Sequence, residues 1–211
     1  MTGRERMVAA CRGGDVDRTP VIGEDALIVE LGQVREALAA NEDVAILARV
    51  PSPLARAKSE GNDLYSELES NPASGEKQLD EYAVATRMDA ADAIGQGADG
   101  ICYVIDGAYP SYSTPMQYGG HFLELDREIL GEFAQARLNM IYVAGKDSPY
   151  LDFTSDLPGH LFAWDSTSGV EPVEVKQMRD SALACDHPEA NVRFIPNESL
   201  TKSIAMAEVR A

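Results

Sequence analysis

The sequence has few cysteines, few basic residues and no long apolar run, and each shortage excludes a class of protein. Cys11, Cys102 and Cys185 are widely spaced and form no CxxC pair, so neither a disulfide framework nor a cysteine-rich zinc site is expected. The apolar runs are far shorter than the ~20 residues that span a bilayer. The charged segment at residues 1–18 has no signal-peptide core. We therefore expect a cytoplasmic protein.

The shortage of basic residues restricts the partners. Eighteen Lys and Arg stand against 35 Asp and Glu, which gives a formal net charge of −17. A chain this acidic is not expected to bind nucleic acid or anionic membranes through its overall charge. We expect a small-molecule partner, and a homodimer is one open oligomeric state.

Strand-like and helix-like segments alternate along the chain. Apolar runs predict strands at residues 21–22, 44–50, 101–106, 139–145, 160–165, 182–186 and 192–197. Helical spacing of apolar residues predicts helices at 4–11, 27–39, 79–96, 125–136, 148–157, 171–181 and 200–209. The polar, turn-rich segments 59–75 and 107–120 read as an exposed loop or short helix and as a long loop.

The predicted strands are continuous apolar runs, which is typical of a parallel sheet covered on both faces. We count about seven strands and expect an α/β fold, either a barrel or a doubly wound sheet. There is no internal repeat and no change of composition along the chain. The sequence therefore predicts a single domain over residues 1–211.

Charged and polar residues follow most of the predicted strands. They are Glu24, Asp25, Arg49, Asp106, Lys146, Asp147, Asp165, Asp186, His187, Asn197 and Glu198. In both parallel architectures the functional site lies at the C-terminal ends of the strands. We therefore expect a polar crevice there.

Common catalytic motifs are missing from the sequence. The segment "AGKD" (144–147) lacks the earlier glycine and the following Ser or Thr of a phosphate-binding loop. The sequence contains no GxGxxG, GxSxG or HExxH. A metal site formed by Asp165, Asp186 and His187 stays open as an alternative.

Four segments in order resemble the uroporphyrinogen decarboxylase superfamily. They are "RERMVAACRGGDVDRTPV" (4–21), "GADGICYVID" (97–106), "QYGGHFLELDREIL" (117–130) and "LNMIYVAGKDSPYLDFTSDLPGHLFAWD" (138–165). The resemblance implies a (β/α) TIM-type barrel with its site at the C-terminal mouth. Because the chain is shorter than typical members, we expect the barrel to be shortened or incompletely closed.

The superfamily contains two chemistries, and the sequence departs from both. Uroporphyrinogen decarboxylases of porphyrin biosynthesis use arginines after the first strand, where this sequence has Glu24 and Asp25. Corrinoid methyltransferases bind zinc through a His-x-Cys, and the resemblance aligns that motif with Tyr142 and Ala144. Tyrosine is a poor zinc ligand and alanine is none.

The resemblance favours a decarboxylase-like lyase or tetrapyrrole binder that needs no cofactor. Asp106, Tyr112 and Lys146 are the expected catalytic residues, and Arg49, Asp165 and His187 are the expected substrate-binding residues. Arg49 would hold a substrate carboxylate, and Asp106 would bind a cationic intermediate or pyrrole N–H groups. Two alternatives stay open. One is a corrinoid or thiol methyltransferase-like protein without the zinc ligands, and the other is a non-catalytic member that binds a tetrapyrrole or corrinoid.

Overall fold

The apolar runs of the sequence become one parallel sheet whose strands follow one another in chain order. The computed structural model describes residues 1–195. The strands are β1 (Ala26–Val29), β2 (Ala45–Pro51), β3 (Gly100–Ile105), β4 (Met140–Val143), β5 (Leu161–Trp164), β6 (Ala182–Cys185) and β7 (Val192–Arg193). Neighbouring strands in chain order are also neighbours in space, which is the topology expected of a TIM-type barrel.

Helices occupy most of the connections between the strands. They are α1 (Gly3–Cys11), α2 (Val34–Ala40), α3 (Pro53–Ser59), α4 (Leu64–Ser70), α5 (Pro72–Gly95), α6 (Pro115–His121), α7 (Leu123–Glu132), α8 (Leu151–Thr154) and α9 (Pro172–Met178). Within residues 1–195, no helix has the length and apolar character needed to cross a membrane.

The sheet is a curled half-barrel, and a short backbone bridge connects its last described strand to its first. Val21 pairs in parallel with Arg193 of β7, and Ile22 pairs with Ala26 of β1. The Ile22 N–H donates to the Arg193 carbonyl at 3.0 Å, and the Arg193 N–H donates to the Pro20 carbonyl at 2.8 Å. The fold is therefore a partial TIM-type barrel, as the resemblance implied.

Alternate residues of each strand enter two separate apolar clusters. In β2, Ala45 and Leu47 belong to the cluster inside the curled sheet, and Ile46 and Ala48 belong to the cluster under the helices. This alternation follows from the two-residue repeat of a strand. Because both faces are covered, both sets of positions are apolar, and the strands read as continuous apolar runs.

Helix α1 lies against the N-terminal end of the inner cluster. Its Met7 is fully buried among the inward-facing strand residues. The buried Arg6 donates from Nη1 to Asp25 Oδ1 at 2.5 Å. Asp25 also accepts from Arg18 at 2.7 and 2.9 Å and from the Val21 N–H at 2.9 Å. The carboxylate that precedes β1 therefore ties α1 to the strand.

A second buried carboxylate, Asp99, precedes β3 and ties α1 to the middle of the sheet. It accepts from Arg4 Nε at 3.0 Å, from Arg137 Nη1 at 2.5 Å and from the Ile46 N–H at 3.0 Å. A buried charge is tolerated only when it is paired and hydrogen-bonded. Asp99 meets both conditions with groups from three other parts of the chain.

The helix predicted over residues 27–39 is wrong in its first part. Ala26–Val29 is a strand, a 3-10 turn follows at Leu31–Gln33, and the helix begins at Val34. Leu27 and Val29 pack under the helices and Ile28 packs inside the sheet, so both faces of the segment are buried. Asp25 consequently lies before a strand, at the N-terminal end of the sheet rather than at its C-terminal mouth.

Helices also form in segment 59–75, predicted as an exposed loop or short helix, and in segment 107–120, predicted as a long loop. The segment 59–75 includes α4, whose Leu64, Tyr65 and Leu68 are buried. The segment 107–120 includes most of α6. Val21 and Ile22, predicted as a strand, form only isolated bridges. The predicted helix at 148–157 is one turn, Leu151–Thr154, and the predicted strand at 192–197 is Val192–Arg193 within the described residues. The remaining predicted elements within residues 1–195 are confirmed, with shifts at their ends. The helix predicted at 200–209, and Asn197 and Glu198, lie outside the described residues.

An acidic side chain, Asp126 of α7, is buried between β3 and the helices. It accepts from the hydroxyls of Tyr103 at 2.7 Å and Tyr118 at 2.9 Å. Burial raises the pKa of Asp126 to about 7, although the two tyrosine hydrogen bonds act in the opposite direction. The folded protein therefore holds a proton on Asp126 that the unfolded chain releases near pH 4.

We expect Asp126→Asn to remove a pH dependence of stability. A raised pKa stabilises the folded state fully below about pH 4, and this contribution is lost as the pH rises toward 7. The free energy of unfolding of the wild type should therefore fall relative to the variant by at most about 1.4 kcal/mol per pH unit across that window. Urea unfolding of both proteins from pH 4 to pH 8 measures the difference. Parallel stability curves would contradict the assignment.

Gly100, at the start of β3, is a position that only glycine can occupy. A Cβ there would lie 1.7 Å from the carbonyl oxygen of Leu138. The position of this Cβ is fixed by the backbone and the oxygen is a backbone atom, so no side-chain rotation can relieve the clash. We expect Gly100→Ala to lower the free energy of unfolding by about 3 kcal/mol, measured by urea denaturation.

Gly95→Ala is the matched control for Gly100→Ala. Gly95 ends α5, and no atom lies within 4 Å of its added Cβ. This substitution should raise stability by about 0.5 kcal/mol, because alanine favours the helix. Equal effects of the two substitutions would show that packing at Gly100 is looser than the structure indicates.

Candidate functional site

A compact polar group lies at the C-terminal mouth of the half-barrel and joins Asp106, Lys58 and Tyr109. Asp106 follows β3. Its Oδ1 accepts a hydrogen bond from Lys58 Nζ and a second one, at 3.1 Å, from the Tyr109 hydroxyl. Lys58 Nζ also lies 2.5 Å from the Tyr109 hydroxyl oxygen. One residue of a helix and two of the loop after β3 therefore share one charged hydrogen-bonded cluster.

Helix α3 brings Lys58 to this cluster. Ser52 accepts from the Ala55 N–H as the N-cap, and Pro53 occupies the first helical turn, which is a favourable helix start. The helix begins directly after β2. Because β2 and β3 are neighbours, Lys58 in the second turn reaches Asp106 at the end of β3.

Two aromatic rings lie next to the Lys58 ammonium group. Nζ lies 5.1 Å from the ring centre of Tyr109 and 5.2 Å from that of Tyr112, within the range of a cation–π contact. Burial disfavours the charge, but the hydrogen bonds to Asp106 and Tyr109 outweigh it and raise the pKa of Lys58. The side chain is a fixed cation at neutral pH.

The second carboxylate oxygen of Asp106 is the open acceptor of the cluster. Both hydrogen bonds to the carboxylate go to Oδ1, and no group of residues 1–195 donates to Oδ2. The side chain is one-third exposed. Oδ2 is therefore available to an N–H or O–H donor of a bound molecule.

Two glycines make room for the aromatic rings. Gly145 has φ +130°, and a Cβ there would lie 2.5 Å from the ring of Tyr109. Gly107 has φ +114°, and a Cβ there would lie 2.9 Å from the ring of Tyr112. The glycines that follow β3 and β4 therefore fix the positions of both tyrosines at the mouth.

Tyr142 and Ala144, which the resemblance aligns with zinc ligands, lie at the inner face of β4 and do not fit a zinc site. Tyr142 is buried edge-to-face against Phe194, with ring centres 5.8 Å apart. Burial raises the pKa of Tyr142, and the carboxylates of Asp165 and Asp106 raise it further, so its hydroxyl stays neutral. A zinc ligand must instead be a thiolate, imidazole or carboxylate.

Two of the predicted substrate-binding residues lie at the mouth with partners of their own. Arg49 pairs with Glu30 at 3.3 Å, and both side chains are about half exposed. Asp165 Oδ1 accepts from the N–H and the hydroxyl of Thr167 at 2.9 and 2.6 Å, so it caps a turn. Arg49 thus has one exposed ion-pair partner, and its remaining N–H donors face the mouth without a partner in residues 1–195.

The remaining predicted site residues occupy different parts of the rim. Tyr112 belongs to the Lys58 cluster. Lys146 is exposed after β4. His187 is exposed after β6 and lines a cavity of about 320 Å³ with Asp186 and Arg193. The structure therefore brings Asp106 and Tyr112 together and leaves His187 beside a separate cavity.

The metal alternative at Asp165, Asp186 and His187 finds no support in the described residues. No three His, Cys, Asp or Glu side chains within residues 1–195 converge closely enough to hold a metal ion. Asp186 instead pairs with Arg193 at 3.0 Å. These strand-end charges are satisfied by other protein groups.

Sequence reasoning missed Lys58 and Tyr109. Lys58 lies on a helix rather than at a strand end, and Tyr109 lies in the segment predicted to be a loop. The "SP" pair at residues 52–53 is a helix-start signal, and it places Lys58 one and a half turns beyond the end of β2. That signal was sufficient to find the helix, but not to show that Lys58 points to Asp106.

Gly145→Ala should disturb the mouth more than a substitution at a positive-φ glycine elsewhere. Gly169 also has a positive φ, +79°, but no atom lies within 4 Å of its added Cβ. Both substitutions carry a backbone cost of about 1 kcal/mol or more, which is larger at Gly145 because its φ of +130° lies further from the left-handed helical region. Only Gly145→Ala adds the clash with Tyr109. We expect Gly145→Ala to cost about 1–2 kcal/mol more in urea unfolding. Equal losses would show that Tyr109 can move without cost.

Comparison with known proteins supports the fold assigned above. A methyltransferase from Methanosarcina mazei has a similar structure, with a TM-score of 0.61 and 18% sequence identity over 86% of this chain. The match covers 64% of the methyltransferase, so this chain spans less than two thirds of its length. No protein-family model matches the sequence, and a search of curated proteins finds no match. The likeness shows the fold alone. None of the comparisons singles out uroporphyrinogen decarboxylase.

Proposed function

We propose that the protein is a methyltransferase-like barrel that binds a corrinoid at its C-terminal mouth and lacks zinc-dependent transfer. The observation that carries the proposal is the cluster of Lys58, Asp106 and Tyr109, which presents one open carboxylate oxygen and a fixed cation at the mouth. The structural likeness to a methyltransferase supports the methyltransferase-like part of the proposal, and the choice of a corrinoid as ligand class follows from the sequence resemblance.

The filled interior of the half-barrel favours a ligand that lies across the rim. Val104, Tyr142 and Phe194 belong to the buried apolar cluster inside the sheet, so within residues 1–195 their side chains fill the space beneath the mouth. A corrin ring carries amide side chains on its edge, and these offer both N–H donors and carbonyl acceptors. Asp106 Oδ2 would accept from such an amide, and Lys146 on the rim would donate to another.

The residues at the family's metal positions argue against a catalytic methyl transfer by the usual route. That route uses zinc to hold and deprotonate the thiol that receives the methyl group. Tyr142 and Ala144 supply neither a thiolate nor an imidazole. We therefore propose that the protein binds a corrinoid but does not activate a thiol through zinc.

A lyase acting on a tetrapyrrole is the second candidate, and a weaker one. Decarboxylation of a polycarboxylate requires cations free to hold the carboxylates. Arg49 is already paired with Glu30, and Lys58 with Asp106. Asp106 keeps the role expected for it in either reading, since its open oxygen also suits pyrrole N–H groups.

We expect hydroxocobalamin to bind at one site per chain, as measured by absorbance titration. Asp106→Asn should weaken binding about tenfold, because it removes a charged acceptor from the interface. Asp43→Asn is the matched control, since Asp43 is exposed beside the N-terminal end of the sheet. It should leave the affinity unchanged.

Two further measurements separate the candidates. Methylcobalamin with a thiol and zinc should keep its methyl group in the presence of the protein, and demethylation would replace the binding proposal with catalysis. If the protein binds uroporphyrin but does not bind hydroxocobalamin, the lyase candidate is favoured. The absence of binding to both would overturn every tetrapyrrole reading.

A further inference from the structure

A second cavity lies at the opposite end of the molecule, along the outward side of α1. Its volume is about 390 Å³, and its lining residues are Arg4, Glu5, Val8, Ala9, Arg12 and Arg137. Five of these residues follow the helical repeat of i, i+4 and i+8 along α1, so they form one stripe. Arg137 approaches the stripe from the segment before β4.

The cavity is a basic region in an otherwise acidic molecule. Three of its lining side chains are arginines and one is a glutamate, whereas the whole chain has a net charge of −17. The glutamate, Glu5, is engaged in the capping box at the start of α1, where it accepts from the Thr2 N–H at 2.9 Å. Arg4 and Arg137 share the buried carboxylate Asp99, so three arginines stand against two carboxylates, and an anion would meet an excess of one positive charge here.

The three arginines differ in the donors they have left. Each guanidinium nitrogen of Arg4 already donates a hydrogen bond, to Asp99 or to the carbonyls of Glu42 and Val44. Arg137 uses only Nη1, toward Asp99, and its side chain is 57% exposed.

Arg12 is exposed, and its guanidinium has no hydrogen-bond or ion-pair partner within residues 1–195. Arg12 and Arg137 are therefore the two side chains of the cavity with donors to offer.

The floor between these guanidinium groups is apolar. Val8 and Ala9 are partly exposed on the outward side of α1. Apolar surface next to guanidinium groups with available N–H donors suits a molecule with an anionic head group and an apolar chain. A volume near 400 Å³ lies within the range of sites for small molecules.

We propose that this cavity binds a small amphipathic carboxylate. Its carboxylate bridges Arg12 and Arg137, and its apolar chain lies on Val8 and Ala9. Guanidinium groups match a carboxylate with paired N–H donors, and burial of the chain adds the hydrophobic contribution. The site is independent of the C-terminal mouth, so it stands or falls separately from the proposed corrinoid binding.

Octanoate is the probe, with binding measured by isothermal titration calorimetry on the full chain. We expect one site per chain, and Arg12→Gln should weaken binding about tenfold because a charged hydrogen bond is lost. Arg12 has no structural partner in the described chain, so this variant should keep the melting temperature of the wild type. Arg35→Gln, which changes an exposed arginine on α2, is the matched control and should bind normally.

Three outcomes would overturn the proposal. In the first, Arg12→Gln binds octanoate as tightly as the wild type. In the second, 1-octanol binds as tightly as octanoate, which would show that the cavity recognises only the apolar chain. In the third, light scattering shows a dimer that Arg12→Gln dissociates, which would show that a second copy of the chain covers the cavity. Weaker binding of octanoate at higher salt would support the ion pairing.

Discussion

The two buried carboxylates at the N-terminal end of the sheet, Asp25 and Asp99, organise the rest of the structure. Each precedes a strand and accepts from an arginine of α1, Arg6 in one case and Arg4 in the other. Removing a charge from water is costly unless it is paired and hydrogen-bonded. The position of α1, and with it the closure of one end of the inner cluster, therefore depends on these two pairs.

This arrangement divides the two ends of the sheet by role. At the N-terminal end Asp25 and Asp99 are paired inside the fold and stabilise it. At the C-terminal end Asp106 keeps an open oxygen, and its partners Lys58 and Tyr109 come from connecting segments rather than from the strands. Such a division is usual for barrels, in which the loops at the C-terminal ends of the strands carry the chemistry.

The sequence predicted most of the strands, because residues such as those of 101–106 are apolar on both faces and have no competing helical period. It failed at residues 27–39, where the spacing of Leu27, Leu31, Val34 and Leu38 satisfies a helix although the first part is a strand. Asp106 was predicted as a site residue because it directly follows a strand, and the structure places it at the mouth with Lys58 and Tyr109. Lys58 was not predicted as a site residue because its position depends on the direction of α3 and on the pairing of β2 with β3. Neither can be inferred from the spacing of residues close in sequence.

The pairing of Arg4 with Asp99 also has a consequence for the order in which the protein assembles. The two residues are 95 positions apart, and Arg137, the other arginine on the same carboxylate, lies still later in the chain. Contacts at this separation form slowly, because a long loop must close before they contribute. Helix α1 can pair with Asp25, 19 positions from Arg6, as soon as β1 is made. We expect its docking to be complete only when Asp99 and Arg137 are also in place.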